Sequence, residues 1–406
     1  MKYMIATAAI SAAAGTVMSA AQAQDIRIKP VAEARLRYEH ADQEGLAIDK
    51  SDALTIRARA GLVATSGALS ATVIGQGNLA VVDRYYDGLN GAATRPIIAD
   101  PENVALYIAQ LQYKTKLVTL TGGRQRIALD DERFVGNVAF RNNGQTFDAM
   151  RMELTPAQGL KLDLSYAWSV RTIWGFQGKG ARQQAVSGDN IFANLSYVTP
   201  VGTLSGFAYL VDQDEAAMQA FRLSSQTYGV RLAGTQPLSK AAKLSYQLSY
   251  AKQADHHANP NNYSADYWLA DATLDVKGWK LNAGYEVLGA SSGAALTSFQ
   301  TPLGTNFKFQ GWADKFLTTP GNGIRDIYVG AGYGWKQLGP FSGAALMAVW
   351  HRFDSDRLDQ HYGDEINLIA SAKVKKTALS VRYARYDAKV MASDTQKLWF
   401  QADWSY

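Results

Sequence analysis

Apolar and polar residues alternate along most of this chain with a period of two, which is the spacing of side chains along a β-strand. Near the end, Leu398 and Phe400 share one face with further aromatic residues, whereas Lys397 and Gln401 share the other. Similar segments of about ten residues recur from residue 26 onwards, and no long stretch shows a helical period. Strands with one apolar face, one polar face and aromatic residues at their ends are typical of outer-membrane barrels.

The connections between these segments alternate between short and long. Short turns are predicted near residues 66, 115, 157, 201, 237, 277, 339 and 376. Longer polar loops are predicted near 40–52, 77–102, 127–144, 172–189, 212–224, 253–264, 289–323, 355–362 and 388–394. Barrels of outer membranes have short periplasmic turns and long extracellular loops. The sequence therefore predicts an all-β fold, a transmembrane antiparallel β-barrel of about 18 strands that spans residues 24–406 as one domain.

A soluble β-sandwich or β-helix is the structural alternative. It would show turn signals at a similar spacing, but it has no reason to alternate long and short connections. The predicted loops 77–102 and 289–323 are also longer than the connections of most compact soluble domains. The pattern favours the membrane barrel.

The first residues have the features of a secretory signal. Lys2 is the only charged residue among residues 1–23, an apolar run follows it, and Ala21 and Ala23 give the small-x-small form of a cleavage site. An N-terminal membrane anchor is the alternative, but the run is short of the roughly 20 apolar residues that a helical span needs. Residues 1–23 are therefore predicted to be a signal peptide, and no other segment approaches a helical span.

Composition excludes several kinds of chemistry. The chain contains no cysteine, which excludes disulfides, thiolate catalysis and cysteine metal ligands. The formal net charge is +5, but the basic residues are spread over many strands instead of forming the cluster that nucleic-acid binding requires. No phosphate-binding loop or zinc motif is present, so we expect no nucleic-acid partner, metal or other cofactor.

Arginine recurs on the polar faces of the predicted strands. A barrel of about 18 strands has an aqueous interior, and rings of basic side chains in such an interior select anions. The guanidinium group also binds carboxylates through two parallel hydrogen bonds. The candidate pore-lining residues are Arg35, Arg37, Arg57, Arg59, Arg124, Arg126, Asp130, Asp131, Glu132, Arg133, Arg141 and Arg151. Further basic candidates are Lys161, Arg171, Arg231, Arg325, Arg352 and Arg382.

Simpler interpretations of these residues remain open. The lumen charges could be solvated groups that balance one another across strands. His256 and His257 are adjacent on a predicted loop and suit a surface position better than a metal site. The acidic residues between Asp354 and Glu365 could bind calcium, but their spacing lacks the glycine and terminal glutamate of a calcium loop.

One stretch resembles a known family. Residues 123–154, GRQRIALDDERFVGNVAFRNNGQTFDAMRMEL, are similar to a signature of the alginate-export family of outer-membrane porins. Arg35–Glu39, His351–Asp354 and the terminal aromatic strand are compatible with that family. The resemblance implies an eighteen-stranded barrel whose arginine-rich constriction passes an anionic polyuronate. It also implies that the pore is lined by Arg124, Arg126 and Arg133, with Asp130, Asp131 and Glu132 beside them.

These observations predict a passive channel in the bacterial outer membrane and not an enzyme. Its partners would be membrane lipid and lipopolysaccharide together with an acidic saccharide or another carboxylate solute, and periplasmic export components could join them. Three alternatives remain: a barrel enzyme of the lipase or protease type, a general porin for small carboxylates, and a structural or adhesin barrel with an occluded lumen. A lipase would need a serine and a histidine close together on the outer face.

Overall fold

Antiparallel strands follow one another around a single closed sheet. The computed structural model describes residues 25–406, and the predicted signal peptide lies outside these residues. The described residues form eighteen strands, each hydrogen-bonded to its two neighbours. The strands, in chain order, are β1 (Arg27–Gln43), β2 (Lys50–Ser66), β3 (Leu69–Arg84), β4 (Asn103–Lys114), β5 (Val118–Gln125), β6 (Thr146–Ala157), β7 (Leu160–Arg171), β8 (Ala185–Thr199), β9 (Gly202–Val211), β10 (Ser225–Ser239), β11 (Ala242–Asp255), β12 (Ser264–Val276), β13 (Trp279–Leu288), β14 (Ile324–Leu338), β15 (Phe341–Asp354), β16 (His361–Val374), β17 (Thr377–Ala388) and β18 (Thr395–Ser405).

The first and last strands close the barrel. Leu36 of β1 lies opposite Ala402 of β18, and the pairing continues over most of both strands. The amide of Tyr406 donates to the carbonyl oxygen of Ala32 at 2.9 Å. Lipid offers no hydrogen-bond partner, so closure is what satisfies the backbone groups of two strands that would otherwise be edges. The prediction of an antiparallel barrel of about 18 strands is confirmed.

Alternation of residue type explains the two faces of the wall. In β1, Leu36 is 48% exposed on the outer face, whereas its neighbour Arg37 is 1% exposed on the inner face. Leu111, Leu248 and Trp268 are other large apolar side chains exposed on the outside. This outer surface is the band that contacts lipid.

Among residues 25–406, no helix is long and apolar enough to cross a membrane.

Long loops lie at one end of the barrel and short turns at the other. We number the loops L1 (44–49), L2 (85–102), L3 (126–145), L4 (172–184), L5 (212–224), L6 (256–263), L7 (289–323), L8 (355–360) and L9 (389–394). Two predictions of loop position differ from the structure. The turn expected at Pro237 lies at residues 240–241, because β10 continues past an irregularity in its pairing between Pro237 and Ser239. L1 and L2 are shorter than predicted, because β1, β2 and β3 extend into the polar sequence.

L3 and L7 fold into the barrel and pack on its inner wall. Phe134 of L3 contacts Phe207 of β9 at 5.3 Å between ring centroids and Tyr267 of β12 at 5.0 Å. Phe299 of L7 packs against Phe134 at 5.7 Å and is fully buried. These contacts form an apolar cluster inside the lumen, and this cluster fixes the two loops across the pore.

The close approach of β2 and β3 at Gly61 allows the packing of the barrel wall to be tested by substitution. A Cβ built at Gly61 would lie 2.0 Å from the carbonyl oxygen of Val73, whereas a Cβ at Gly77 of β3 would meet nothing within 4 Å. We expect Gly61→Ala to destabilise the barrel by roughly 1–3 kcal/mol, since the backbone must shift. Gly77→Ala is the matched control and should be close to neutral. Thermal unfolding followed by heat-modifiable gel mobility measures both, and equal transition temperatures for the two variants would contradict this account.

Candidate functional site

The first half of L3 is bound to the wall by its acidic residues. Asp130 accepts a hydrogen bond from Asn194 of β8 at 2.7 Å, and Asp131 accepts one from Gln247 of β11. Arg231 of β10 lies 3.8 Å from a carboxylate oxygen of each. Burial raises the pKa of Asp130, with the Arg231 charge opposing this effect. These two acids therefore serve as anchors of the loop.

The centre of L3 is held by a buried ion pair. Arg133 Nε donates to Glu286 Oε1 of β13 at 2.6 Å, and both side chains are 2% exposed or less. Arg133 also donates to Thr301 and Asn306 of L7 and lies over the ring of Phe309 at 4.6 Å. Burial alone would lower the pKa of Arg133, but the carboxylate of Glu286 outweighs it and raises the pKa. The pair ties L3 and L7 to the wall at one point.

Glu132 joins L3 to L7 a second time. Its carboxylate accepts hydrogen bonds from Lys308 at 2.7 Å, from Thr305 at 2.8 Å and from the amide of Asn137 at 3.2 Å. Burial would raise the pKa of Glu132, but these donors outweigh it and lower the pKa. Together with the Arg133 pair, this contact makes L3 and L7 one unit.

The second half of L3 contacts β1. Arg35 and Arg37 of β1 donate to main-chain oxygens of L3, including that of Phe140. Arg37 also donates to Asp100 of L2 at 3.1 Å. Arg141 lies against Asp314 of L7, and its Nη1 is 3.6 Å from Glu39. Among residues 25–406, Arg37 thus has hydrogen-bond partners on all three of its nitrogens, with Gln401 Oε1 as the partner of Nε, whereas Arg141 hydrogen-bonds through Nη2 alone.

A group of arginines, which we call the arginine row, faces the lumen from neighbouring strands. It consists of Arg382 of β17, Arg35 of β1, and Arg57 and Arg59 of β2. Arg35 and Arg57 are directly opposite in the strand register. Two carboxylates lie among the four cations: Asp403 accepts from Arg35 at 2.7 Å, and Glu33 lies 3.7 Å from Arg57 and 3.5 Å from Arg59. The row therefore has an excess of positive charge.

Two members of the row, Arg57 and Arg382, have weak contacts with the rest of the protein. Within the described part of the chain, Arg57 Nε has no hydrogen-bond partner, and its two carboxylate contacts are at 3.7 and 3.9 Å. Arg382 makes a single contact of 3.4 Å with Ser380 Oγ and lies between the rings of Phe140 and Trp312, at 5.5 and 5.9 Å. These guanidinium groups can bind a carboxylate without first breaking a strong contact within the protein.

The structure places the predicted pore-lining residues in different parts of the barrel. Arg35, Arg37, Arg57 and Arg59 lie on the inner wall, and Arg37 is covered by L3. Asp130, Asp131, Glu132, Arg133 and Arg141 lie in L3, where their contacts fix the loop. Arg126 is exposed at the start of L3, where it is close enough to Arg59 for the two positive charges to repel each other. Arg151 faces inward but is paired with Asp163 through two hydrogen bonds of 2.9 and 2.6 Å.

Arg124 corrects one expectation, since its side chain is on the outer face. Its neighbour Gln125 points inward opposite the buried Phe147, so Arg124 points outward with Asp148. Asp148 accepts from Arg124 at 2.7 and 2.9 Å and from Arg171 at 3.1 Å. The expectation treated residues 124–141 as one charged block, whereas the two-residue period of β5 still applies at Arg124.

Sequence reasoning missed the aromatic and cationic parts of the site that L7 supplies. Trp312 and Lys315 lie in a long segment with no period, which gives no signal for the direction of a side chain. Arg382 could be found only as one of several basic residues at polar positions. Glu286 likewise was missed, because an acidic residue near the end of a strand is expected at the rim and not beneath a loop.

A cavity lies among L2, L3, L4 and L7, and we call it the vestibule. Its volume is about 390 Å³, and Arg141, Arg182, Lys315 and Lys397 are among its lining residues. Lys315 donates to Gln43 at 3.2 Å. Burial and the nearby charge of Lys397 lower the pKa of Lys315 to about 8. The vestibule is therefore more positive at neutral pH than at pH 9.

The ion pair at Arg133 predicts how the pore is kept narrow. Arg133→Met leaves Glu286 buried without its cation, which costs roughly 3–5 kcal/mol and should release L3 from the wall. We expect a larger single-channel conductance and new protease cleavage within L3. Arg352→Met is the control, because Arg352 pairs with Asp354 on the exposed surface. Wild-type conductance and wild-type protease resistance in Arg133→Met would rule out this role for the pair.

The lowered pKa of Lys315 predicts a pH effect. Lysine is charged below its pKa, so a rise in pH through about 8 removes one positive charge from the vestibule. Anion preference, measured as a reversal potential, should decline between pH 7 and pH 9. Lys315→Met should start with a lower preference and lose this step, while Lys308→Met, a change in the same loop, should retain it. A pH step that persists in Lys315→Met would assign the titration to another group.

A family model described as alginate export matches residues 31–295, about two thirds of the chain. No curated protein sequence matches.

Several solved structures share the fold. Pseudomonas aeruginosa OccK9 (OpdG) has a TM-score of 0.71 and 16% identity, with 93% of this chain and 98% of that chain covered. Acinetobacter baumannii OccAB4 has a TM-score of 0.70 and 15% identity, with 95% and 99% covered. Pseudomonas aeruginosa OpdK with vanillate has a TM-score of 0.68 and 12% identity, with 93% and 98% covered. The closed barrel with its apolar outer band and the family match together show that this chain is a bacterial outer-membrane barrel that belongs to the alginate export family.

Proposed function

We propose that this barrel is a passive channel for anionic solutes and that uronate-containing saccharides are its substrates. The arginine row would attract the carboxylate groups, and the constriction built by L3 and L7 would hold the solute close to the row. No step of this transport calls for a cofactor.

One observation carries the proposal of anion preference. Arg35 and Arg57 are directly opposite each other on neighbouring strands. Like charges in this position repel and destabilise a sheet, and only two carboxylates are nearby to reduce the repulsion. A channel for anions gives a reason to retain such an arrangement, because a passing carboxylate supplies the missing negative charge.

The two carboxylates beside the arginine row also suit a channel better than a tight binding site. Asp403 and Glu33 compete with an incoming carboxylate for the same guanidinium groups. Conduction requires a solute to bind well enough to enter and weakly enough to leave. Arg57 and Arg382, which have the weakest protein contacts in the row, would therefore be the positions where a solute carboxylate rests.

Two classes of acidic solute fit this chemistry. The family description favours a polyuronate. OpdK, which shares the fold, is described in a crystal structure with vanillate, an aromatic acid, and the rings of Phe140 and Trp312 beside Arg382 would suit such a solute. A porin for small carboxylates is therefore the second candidate.

The barrel enzyme is less well supported than either channel. His361 places both ring nitrogens against carboxylates, Asp354 at 2.9 Å and Asp364 at 2.9 Å. A catalytic dyad would need one of these nitrogens for a nucleophile. Among residues 25–406, no group of three His, Asp or Glu side chains has the arrangement of a metal site.

The main test is ion selectivity in planar bilayers. Wild-type protein should favour chloride over potassium, and Arg57→Glu and Arg382→Glu should each move the reversal potential toward cations. The shift should shrink as salt rises, since the screening length is about 10 Å at 0.1 M. Arg124→Glu is the matched control, because the same charge reversal occurs on the outer face.

Two results of this experiment would count against the proposal. Equal shifts in Arg57→Glu and Arg124→Glu would mean that the row does not set selectivity. A cation preference in the wild-type protein would exclude an anion channel. Addition of an oligouronate to the same membranes tests the substrate: transient block by the oligouronate supports the saccharide, whereas block by vanillate alone would favour the small-carboxylate porin.

A further inference from the structure

A polar cavity lies beside the arginine row, in the sector of the wall formed by β11–β16. Its volume is about 400 Å³. The wall supplies Asp271, Asn282 and Tyr328 to its lining, and L7 supplies Phe309 and Trp312. No contact of the arginine row uses these wall residues, so the cavity is a separate feature of the lumen.

Hydrogen-bond acceptors are in excess in this cavity. Asp271 Oδ2 accepts from Asn282 at 2.9 Å and from Tyr328 at 2.8 Å. Asp271 Oδ1, Asn282 Oδ1 and Gln310 Oε1 accept no hydrogen bond from any residue between 25 and 406. Asn367 Nδ2 is an open donor in the same lining, so a ligand that fits must donate several hydrogen bonds and can accept one.

The charges of the cavity favour hydroxyl donors over an ammonium group. Two of its four carboxylates already have a cation, because Glu286 has Arg133 at 2.6 Å and Asp131 has Arg231 at 3.8 Å. A third, Asp326, lies 3.0 Å from His351 Nδ1. Lys308 adds a further positive charge to the lining. An ammonium group would meet these cations, whereas a neutral hydroxyl can use the open oxygens without electrostatic cost.

The aromatic residues connect the cavity to the arginine row. Trp312 lines the cavity, and the guanidinium carbon of Arg382 lies 5.9 Å from the centroid of the Trp312 ring. An aromatic face packs well against the C–H groups on one side of a saturated ring. A ring resting on Trp312 would have the row on one side and the open acceptors on the other.

We propose that this cavity is a hydroxyl-binding subsite for a sugar acid, that is, a single pyranose ring that carries a carboxylate. The carboxylate lies at Arg382 and the ring hydroxyls donate to Asp271 Oδ1 and Asn282 Oδ1. This inference rests on the proposed anion channel. It adds that the cavity makes the channel prefer carboxylic acids that carry hydroxyl groups over those that carry none. A site built to bond hydroxyls discriminates strongly against an analogue without them.

The test compares two probes of equal charge in planar bilayers. Glucuronate has both the carboxylate and the hydroxyls, and cyclohexanecarboxylate has the ring and the carboxylate only. Glucuronate should block the wild-type current at a concentration at least tenfold lower than cyclohexanecarboxylate does. Asp271→Asn should weaken the glucuronate block on the order of tenfold, because its amide oxygen takes the bonds of Asn282 and Tyr328 and its NH2 group faces the cavity. The block by cyclohexanecarboxylate should not change.

Asp275→Asn is the matched control. Asp275 lies on the same face of β12 near the periplasmic turn, where it pairs with Lys243 at 3.8 Å, outside the cavity. The Asp275→Asn substitution removes the same charge as Asp271→Asn and should leave the glucuronate block at the wild-type level. Formation of conducting channels by each variant shows that the barrel has folded.

The outcomes separate the two proposals. Absence of an anion preference in the wild-type protein would overturn the proposed function. Equal block by the two probes, or equal effects of Asp271→Asn and Asp275→Asn, would overturn the subsite while the anion channel stands. Stronger block by 4-aminocyclohexanecarboxylate than by glucuronate would assign the cavity to an ammonium group and would also overturn the hydroxyl assignment.

Discussion

Lipid cannot form hydrogen bonds, and the rest of this structure depends on that constraint. Every strand must pair on both sides, so the sheet has to close, and Tyr406 and Ala32 complete the last row of bonds. Closure with eighteen strands leaves an interior too wide for wall side chains alone to fill. L3 and L7 occupy part of that interior, and their own polar groups need partners there. The inner wall supplies these partners through Glu286, Asn194 and Arg37.

Charge inside the lumen has two different uses. In L3 and in the neighbouring strand β6, buried cations have a close carboxylate, as in the Arg133–Glu286 and Arg151–Asp163 pairs, and these pairs hold structure. In the arginine row, four guanidinium groups share Asp403 and Glu33, and no such balance is reached. The balanced charges make the constriction rigid, whereas the unbalanced ones remain available to a solute.

The sequence predicted the barrel, because a two-residue period and alternating loop lengths are local properties that pairing preserves. It also placed Arg35, Arg57 and Arg59 on the inner wall through the same period. It could not predict which long loops enter the lumen, since L3 and L7 are held by residues far away in sequence. For the same reason it gave no sign that Arg133 would be buried against Glu286. Arg124 was wrongly predicted to line the pore, because the many charges of residues 124–141 were given more weight than the two-residue period of β5.

The spacing of the L3 contacts along the chain determines when the pore can acquire its narrow form. Arg133 and Glu286 are 153 residues apart, and Arg141 and Asp314 are 173 residues apart. Contacts of such long range form late, since the loss of chain entropy precedes their gain. L3 can complete its docking only after β13 has joined the sheet and L7 has entered the lumen, which is well after the strands on either side of L3 have paired. During assembly the part of the wall beside L3 therefore exists before L3 narrows the passage, and the constriction appears later than the strands that carry it.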